Sequence, residues 1–330
     1  MAAKDPLIIR DRDEMRKWSR SMRAQGSSIG LVPTMGYLHE GHLSLIKEAQ
    51  KHADLIVVSI YVNPGQFSPN EDLSTYPSNF EGDIEKLRSV HGGVDVVFNP
   101  FNLYDYGVYE GGETMKKGEE EKGEKVISCV ESSKFGHETW IRVENLEKGL
   151  CGKSRPIFFR GVATVVVKLF NIVEPDVAVF GKKDYQQWRI IRRMVLCWIS
   201  KEIESSYCNQ VRDLDFGIKI IGSELVREHD GLAMSSRNVH LSPQEREKAL
   251  SISRSLYEAK KAAENGERDC TKLRNYVAQT IQKAGGKVDY DEIVDQESLE
   301  SVEVIQSPVV FCIAALFGNV RLIDNMEINV

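Results

Sequence analysis

Runs of four to eight apolar, mostly β-branched residues recur along the first two-thirds of the chain, at 29–32, 55–62, 94–98, 139–143, 177–180 and 218–221. Between several of them the apolar positions switch to a helical rhythm. After Leu43 they fall at Ile46, Ala49 and Ala53, which places one apolar stripe along a helix. Short, uniformly apolar strands separated by helices predict strands buried on both faces, and so an α/β fold built on a parallel sheet.

The last hundred residues read differently. Ser242-Pro243 supplies an N-cap serine and a proline at the first helical position, and Ala249, Ile252, Leu256, Ala259 and Ala263 follow on one face. A second helix through Leu273, Val277, Ile281 and Ala284 leads into strand-like runs at 288–294, 309–316 and 321–326. This predicts a smaller α+β domain, with the division near Gly222-Ser223, so that residues 1–222 form the larger domain and 223–330 the smaller. A chain of 330 residues agrees with roughly two domains of about 150.

Two stretches read as insertions. Nine of the thirteen residues from Glu113 to Lys125 are charged, so 111–125 reads as a solvated loop. Residues 196–211 lie between a helix and a strand, where connections usually run about 2–6 residues. Without them Val195 would meet Arg212 and leave 213–216 as an ordinary turn. The insertion is therefore expected to be dispensable and to sit away from substrate.

Charge and composition narrow the class. A net charge of −6 argues against a broad nucleic-acid-binding surface while leaving room for a local basic pocket. The longest apolar runs, 55–62 and 309–317, fall short of the roughly 18 residues that span a bilayer, and charges occupy the N-terminal stretch where a secretory apolar core would sit. Cysteines 129, 151, 197, 208, 270 and 312 never form C-x-x-C, which reads as reduced cytosolic thiols. Small-molecule chemistry without membrane or nucleic-acid partners is the expectation.

Four polar stretches carry that chemistry, each expected after a strand. Pro33-Thr34-Met35-Gly36-Tyr37-Leu38-His39-Glu40-Gly41-His42 stands where the first of these strands hands over to a helix. Free N–H groups at a helix start favour phosphate, and Gly36 and Gly41 admit a ligand close to the main chain. The residues alone admit ATP binding or two surface histidines; zinc is disfavoured because H-E-G-H lacks the H-E-x-x-H spacing. Asn63-Pro64-Gly65 reads as a turn and leaves Gln66 as a candidate hydrogen-bonding group for an acid or hydroxyl. Gly181-Lys182-Lys183-Asp184 repeats the strand–glycine–helix geometry, with a lysine beside a phosphate site and Asp184 as a candidate N-cap. Met234-Ser235-Ser236-Arg237 offers hydroxyl and guanidinium donors to a polyphosphate.

These stretches resemble those of the pantoate–β-alanine ligases, also called pantothenate synthetases, in a plant-like form. P-T-M-G-x-L-H-x-G-H at 33–42, V-N-P-x-Q-F at 62–67, R-P-x-x-F-x-G-V at 155–162, F-G-x-K-D-Y-Q-Q at 180–187 and G-L-A-M-S-S-R-N at 231–238 occur in family order, and the similarity covers residues 7–330. The resemblance implies a Rossmann-like nucleotidyltransferase domain with a small C-terminal domain closing over the site. It implies that ATP activates pantoate as pantoyl adenylate, which β-alanine then attacks to give pantothenate and AMP. No covalent enzyme intermediate is needed, so positioning and charge stabilisation carry the catalysis.

By the same resemblance, His42, His39, Lys183 and Arg237 are catalytic. Met35, Gly36, Tyr37, Leu38, His39, Glu40, Gly41, His42, Gly181, Lys182, Lys183, Asp184, Val226, Met234, Ser235, Ser236 and Arg237 bind ATP, and Gln66 and Gln187 hold pantoate, Gln66 lying also by β-alanine. Mg²⁺ accompanies ATP, a homodimer is implied, and the cytosol is the expected location. The chain departs from bacterial members at Cys151, Phe158 and Lys182, and no role is carried over to Cys151-Gly152 or Phe158. Of the bacterial magnesium-binding stretch only Asp83 remains as a candidate. A nucleotidyltransferase that stops at the adenylate, or a nucleotide-binding protein without turnover, are the competing readings.

Overall fold

The computed structural model describes residues 5–104, 127–131, 137–195 and 214–329. The stretches 111–125 and 196–211, with Cys197 and Cys208, lie outside the described residues.

Six strands, β1 (Leu7–Ile9), β2 (Ile29–Thr34), β3 (Leu55–Ile60), β4 (Val96–Phe98), β5 (Val177–Gly181) and β6 (Lys219–Ser223), form a parallel sheet in the order β1-β4-β3-β2-β5-β6. Because side chains alternate between faces, Leu31, Val57 and Val96 join a core with α1 (Arg12–Ala24), α5 (Phe158–Val173) and α6 (Tyr185–Met194). Their neighbours Val32, Val58 and Val97 join another with α2 (Glu40–Ala49) and α3 (Phe80–Arg88). With both faces covered, the strands read as continuous apolar runs rather than alternating ones, which is the Rossmann-like pattern expected.

A three-stranded antiparallel meander, β7 (Lys287–Asp295), β8 (Val309–Phe317) and β9 (Val320–Ile328), follows α7 (Pro243–Glu264) and α8 (Cys270–Lys283). The start of α7 is a reciprocal capping box: Glu245 N–H donates to Ser242 Oγ at 3.2 Å and Ser242 N–H to Glu245 Oε2 at 2.9 Å. Strand β8 serves two sides. Phe311, Ile313, Ala315 and Phe317 pack with Ala249, Ile252 and Leu256 of α7, whereas Val310 and Cys312 belong to the core of the parallel sheet.

Several expectations are corrected. Residues 139–143 form no strand, because Ile141 N–H donates to Thr164 Oγ1 of α5 at 3.0 Å and the Val143 carbonyl accepts from Glu147 in a turn. Only Val143 of this stretch is buried, Trp140 and Ile141 are half-buried, and Thr139 and Arg142 are exposed. The strand at 55–62 ends at Ile60, and β1, only three residues long at a sheet edge, gave no signal in the pattern. The 231–238 stretch does not directly follow a strand; it begins within a tight hairpin closed by an Arg227–Ala233 bridge and enters a 3₁₀ turn at Ser236–His240.

Candidate functional site

The chain runs from β2 outward to β3 and β4, and then crosses to the other side of β2 to form β5 and β6. The order reverses between β2 and β5, so the crevice beyond their C-terminal ends is where an open parallel sheet binds ligand. A cavity of about 950 Å³ opens there, within the range of small-molecule sites, lined by Met35, His39 and His42 after β2 and by Lys183 and Gln187 after β5.

The turn after β2 needs two left-handed residues, Gly36 at φ 84° and Tyr37 at φ 51°. What holds it is Asp83 of α3, which is buried and accepts from Tyr37 N–H at 2.8 Å and Leu38 N–H at 2.6 Å. Lys86, one turn on, donates to the Leu38 carbonyl at 2.6 Å. Burial pushes the Asp83 carboxyl up, against the two N–H groups that favour its charged form. Asp83 thus acts as a buttress of this turn, with each oxygen accepting from backbone, and it does not line the cavity. Among the described residues no group of three or more His, Cys, Asp or Glu is placed to hold a metal ion. Asp83→Ala leaves two N–H groups without partners, and we expect a loss of about 1–3 kcal/mol in urea unfolding. Asp83→Asn, which keeps one acceptor, should lose less.

His39 is the N-cap of α2 and His42 its third residue, with ring centroids 4.0 Å apart. The His39 N–H donates to His42 Nδ1 at 3.3 Å, so the neutral ring carries its proton on Nε2. Burial, then Lys183 and Lys86, hold His39 down at about 4. Burial, then His39 and the same lysines, hold His42 well below the usual histidine value. Two neutral imidazoles therefore stand together at the start of α2, each with one ring N–H to donate.

Beyond β3, the expected Asn-Pro-Gly turn is a short 3₁₀ segment, but Asn63 is more than a turn residue. Its amide donates to Gln66 Oε1 at 2.9 Å and to the Gly161 carbonyl at 3.1 Å, and its carbonyl accepts from the Tyr104 hydroxyl at 2.7 Å. With Oε1 occupied, Gln66 turns its NH₂ toward Met35 Sδ at 3.4 Å on the cavity wall. A Cβ on Gly161 would lie 2.3 Å from the Gly65 carbonyl oxygen, so only glycine lets α5 meet this turn. Both glutamines of α6 line the cavity: Gln186 is buried, with its amide donating to the Leu146 and Gly149 carbonyls at 2.8 Å each, and Gln187 is half-buried.

The Gly181–Asp184 turn sends Lys183 into the cavity and Lys182 out of it. Lys182 ion-pairs with Glu224 at 2.6 Å and Glu327 at 3.2 Å, so its extra charge is neutralised locally. Asp184 precedes α6, yet its side chain makes no capping bond, because a 3₁₀ turn at Lys182–Asp184 delivers the chain into the helix. The Met234–Arg237 loop reaches the histidine turn: Gly41 N–H contacts Met234 Sδ at 3.1 Å and Ser236 Oγ donates to the Tyr37 carbonyl at 3.3 Å. Val226 holds the loop through Met234 N–H at 3.0 Å. The Arg237 fork rests on Asp72, at 3.0 and 3.2 Å.

Met35, His39, Gly41, His42, Gln66, Gly181, Lys183, Asp184, Gln187, Val226, Met234, Ser235, Ser236 and Arg237 thus share one cavity. Gly36, Tyr37, Leu38, Glu40 and Lys182 do not line it; Leu38 is buried in the core beneath, and Glu40 is exposed. The sequence reading missed one wall entirely. Cys151, at the start of the short helix α4 (Cys151–Ser154), meets the Tyr290 hydroxyl at 3.3 Å, and Cys312, Arg321, Asp324 and Asn325 complete that side from the C-terminal sheet. The available signal was a pair of polar residues, Asp324-Asn325, inside a strand pattern. Phe158, the other departure, lies under the Arg155 guanidinium at 3.9 Å from its ring centroid.

Comparisons with known proteins agree with this architecture. The family model described as Pantoate-beta-alanine ligase matches residues 7–327. A pantoate–β-alanine ligase of Lotus japonicus is 66% identical over 325 residues, covering 98% of this chain and 99% of that protein. The crystal structure of pantothenate synthetase from Thermus thermophilus superposes with a TM-score of 0.77 at 34% identity, covering 98% of this chain and 100% of that one. A pantoate–β-alanine ligase from Francisella tularensis, described as complexed with beta-gamma ATP and β-alanine, gives 0.66 at 29% identity with 97% of each chain covered. With its cavity at the β2–β5 crossing and this similarity over nearly its whole length, the chain belongs to the pantoate–β-alanine ligase family.

Proposed function

We propose that this chain condenses pantoate with β-alanine in two steps within the one cavity. A pantoate carboxylate oxygen attacks the α-phosphorus of ATP, the bond to pyrophosphate breaks, and pantoyl adenylate forms. The β-alanine nitrogen then attacks the acyl carbon, AMP leaves, and the amine gives up a proton. The observation that carries this reading is the meeting of phosphate-type donors and acid-type amides on one cavity: His39, His42 and Lys183 beside Gln66 and Gln187. Neutral His42 donates from Nε2 to charge developing on phosphate, and His39 stands beside it. Lys183 supplies point charge where pyrophosphate departs, and Arg237 would exchange Asp72 for a phosphate oxygen. The Gln66 NH₂ addresses pantoate, near the place proposed for β-alanine.

The ligands named for the Francisella relative support placing ATP and β-alanine together. The described residues offer no resident metal cage, so Mg²⁺ is proposed to enter on the triphosphate oxygens, and no step rests on a protein-held ion. We divide the chain into residues 1–222, carrying most of the site, and 223–330, carrying the Met234–Arg237 loop and the wall from β9. A homodimer is proposed from the family resemblance and is checked by sedimentation. The cytosol is the proposed location: no helix among the described residues is long and apolar enough to cross a membrane, and Cys151, Cys270 and Cys312 are free thiols.

The deciding experiment supplies pantoate, β-alanine and Mg-ATP to purified protein and follows AMP and pantothenate. Stoichiometric release of both is expected. Pyrophosphate release with accumulating adenylate and no pantothenate would leave a nucleotidyltransferase instead. We further expect Gln66→Ala to raise the KM for pantoate about tenfold with the KM for ATP little changed, because a lost neutral hydrogen bond to a charged acid is worth roughly 1.5 kcal/mol. An unaltered pantoate dependence would remove Gln66 from the acid site.

A further inference from the structure

Strand β9 places two buried polar residues side by side where an apolar pair would satisfy the sheet, Asp324 at 4% exposure and Asn325 at 8%. Burying such groups is unfavourable unless each polar atom finds a partner, so where those partners lie shows what the burial serves. Asn325 Nδ2 spends both of its protons on one turn, donating to the Lys182 and Lys183 carbonyls at 2.9 Å each. Asp324 takes the Arg227 guanidinium in a two-pronged pair at 2.7 and 2.9 Å, and Arg227 also donates to the Gly231 carbonyl at 3.1 Å. Arg227 stands in the hairpin whose Val226 carbonyl accepts from Met234 N–H. One dipeptide in the C-terminal sheet thus grips the lysine turn after β5 with one side chain and the hairpin leading to the Met234–Arg237 loop with the other.

We propose that Asn325 and Asp324 are positioning residues for adenylate formation, fixing Lys183 and the Met234–Arg237 loop in register across the cavity. The inference rests on the proposed role of that site. Lys183 is a flexible cation on a short 3₁₀ turn, and its aim depends on the peptide planes beneath it. Asn325 of the C-terminal sheet holds both of those carbonyls directly, and its neighbour's partner Arg227 ties the same strand to the loop. Displacement of a charged group by even about 1 Å costs on the order of 10²-fold in rate, so this second layer of support is where kinetic sensitivity should appear.

A double-mutant cycle separates positioning from simple stability. Asn325→Ala should lower adenylate formation roughly 10- to 100-fold, mostly in kcat, while attack of β-alanine on supplied pantoyl adenylate changes less than about threefold. In a Lys183→Ala background the same change should cost less than about twofold further, since there is no longer a cation to aim. Asp324→Asn combined with Arg237→Ala reads the other arm in the same way. Losses that multiply, or that strike both half-reactions equally, overturn the proposal. If Asn325→Ala is insoluble, Asn325→Ser carries the cycle, and insolubility of both would make the pair structural and also overturn it. If Lys183→Ala itself leaves adenylate formation intact, the reading of the site has failed, and that single variant shows it.

Discussion

Replacing His42 with alanine should reduce adenylate formation roughly 10²- to 10³-fold, the equivalent of about 3–4 kcal/mol, with the fold intact. The size follows from where its proton sits. His42 Nδ1 is engaged by the His39 N–H, leaving Nε2–H as a donor, and burial together with His39, Lys183 and Lys86 keeps the ring uncharged. A neutral donor in a partly dry cavity stabilises charge that appears on phosphate without holding a charge of its own in the ground state. His39→Ala should behave similarly. The pH dependence has a definite sign: with His39 held at about 4 in the folded state, the unfolded chain takes up protons first as pH falls below about 6.5. Stability should therefore decline between about pH 6.5 and 4, and the decline should shrink in His39→Ala. Rate profiles should show no acid limb at 6.5 from these rings. Near wild-type adenylate formation by both variants would remove this turn from the ATP site.

Lys183→Ala should separate the two half-reactions. Adenylate formation should fall about 10²-fold, because a fixed cation is lost where pyrophosphate charge develops, while attack of β-alanine on supplied pantoyl adenylate should fall far less. Asp184 is 3.7 Å from the ammonium and is half-exposed, so it screens Lys183 only weakly. A second readout is independent of turnover. Lys183 is among the groups that depress both histidines, so its removal should raise their titration midpoints toward the ordinary value in an NMR titration. Equal loss in both half-reactions, or histidine midpoints that stay put, would assign Lys183 a general structural role.

Much of this architecture was legible in the chain because its causes are local. Strands such as 29–32 and 177–180 announce themselves as continuous apolar runs, since helices cover both of their faces. The α7 start is written in Ser242-Pro243 and Glu245, and the helix begins there. His39, Gln66 and Lys183 stood out because each follows a strand within a few residues, and topology brings those strand ends to one crevice.

Where the reading failed, the deciding partner was distant in sequence. Residues 139–143 are apolar enough for a strand, and only the Thr164 hydroxyl taking the Ile141 N–H decides against it. The buttressing role of Asp83 is likewise invisible locally, since the N–H groups it accepts from, Tyr37 and Leu38, are 46 and 45 residues away.

By itself, then, the sequence determined the α/β class, most of the buried strands, the start of α7 and the chemical kinds present at the turns after β2, β3 and β5, because period, capping and turn chemistry act over fewer than ten residues. Tertiary structure alone decided which groups are buttress and which line the cavity. Lys182 and Lys183 are adjacent and chemically identical, yet one is spent on Glu224 and Glu327 and the other lines the cavity. The same holds for Asp324-Asn325, whose contact with the Lys183 turn spans 142 residues. Such contacts depend on which surfaces meet when the C-terminal sheet closes against β5, and no local spacing encodes that meeting.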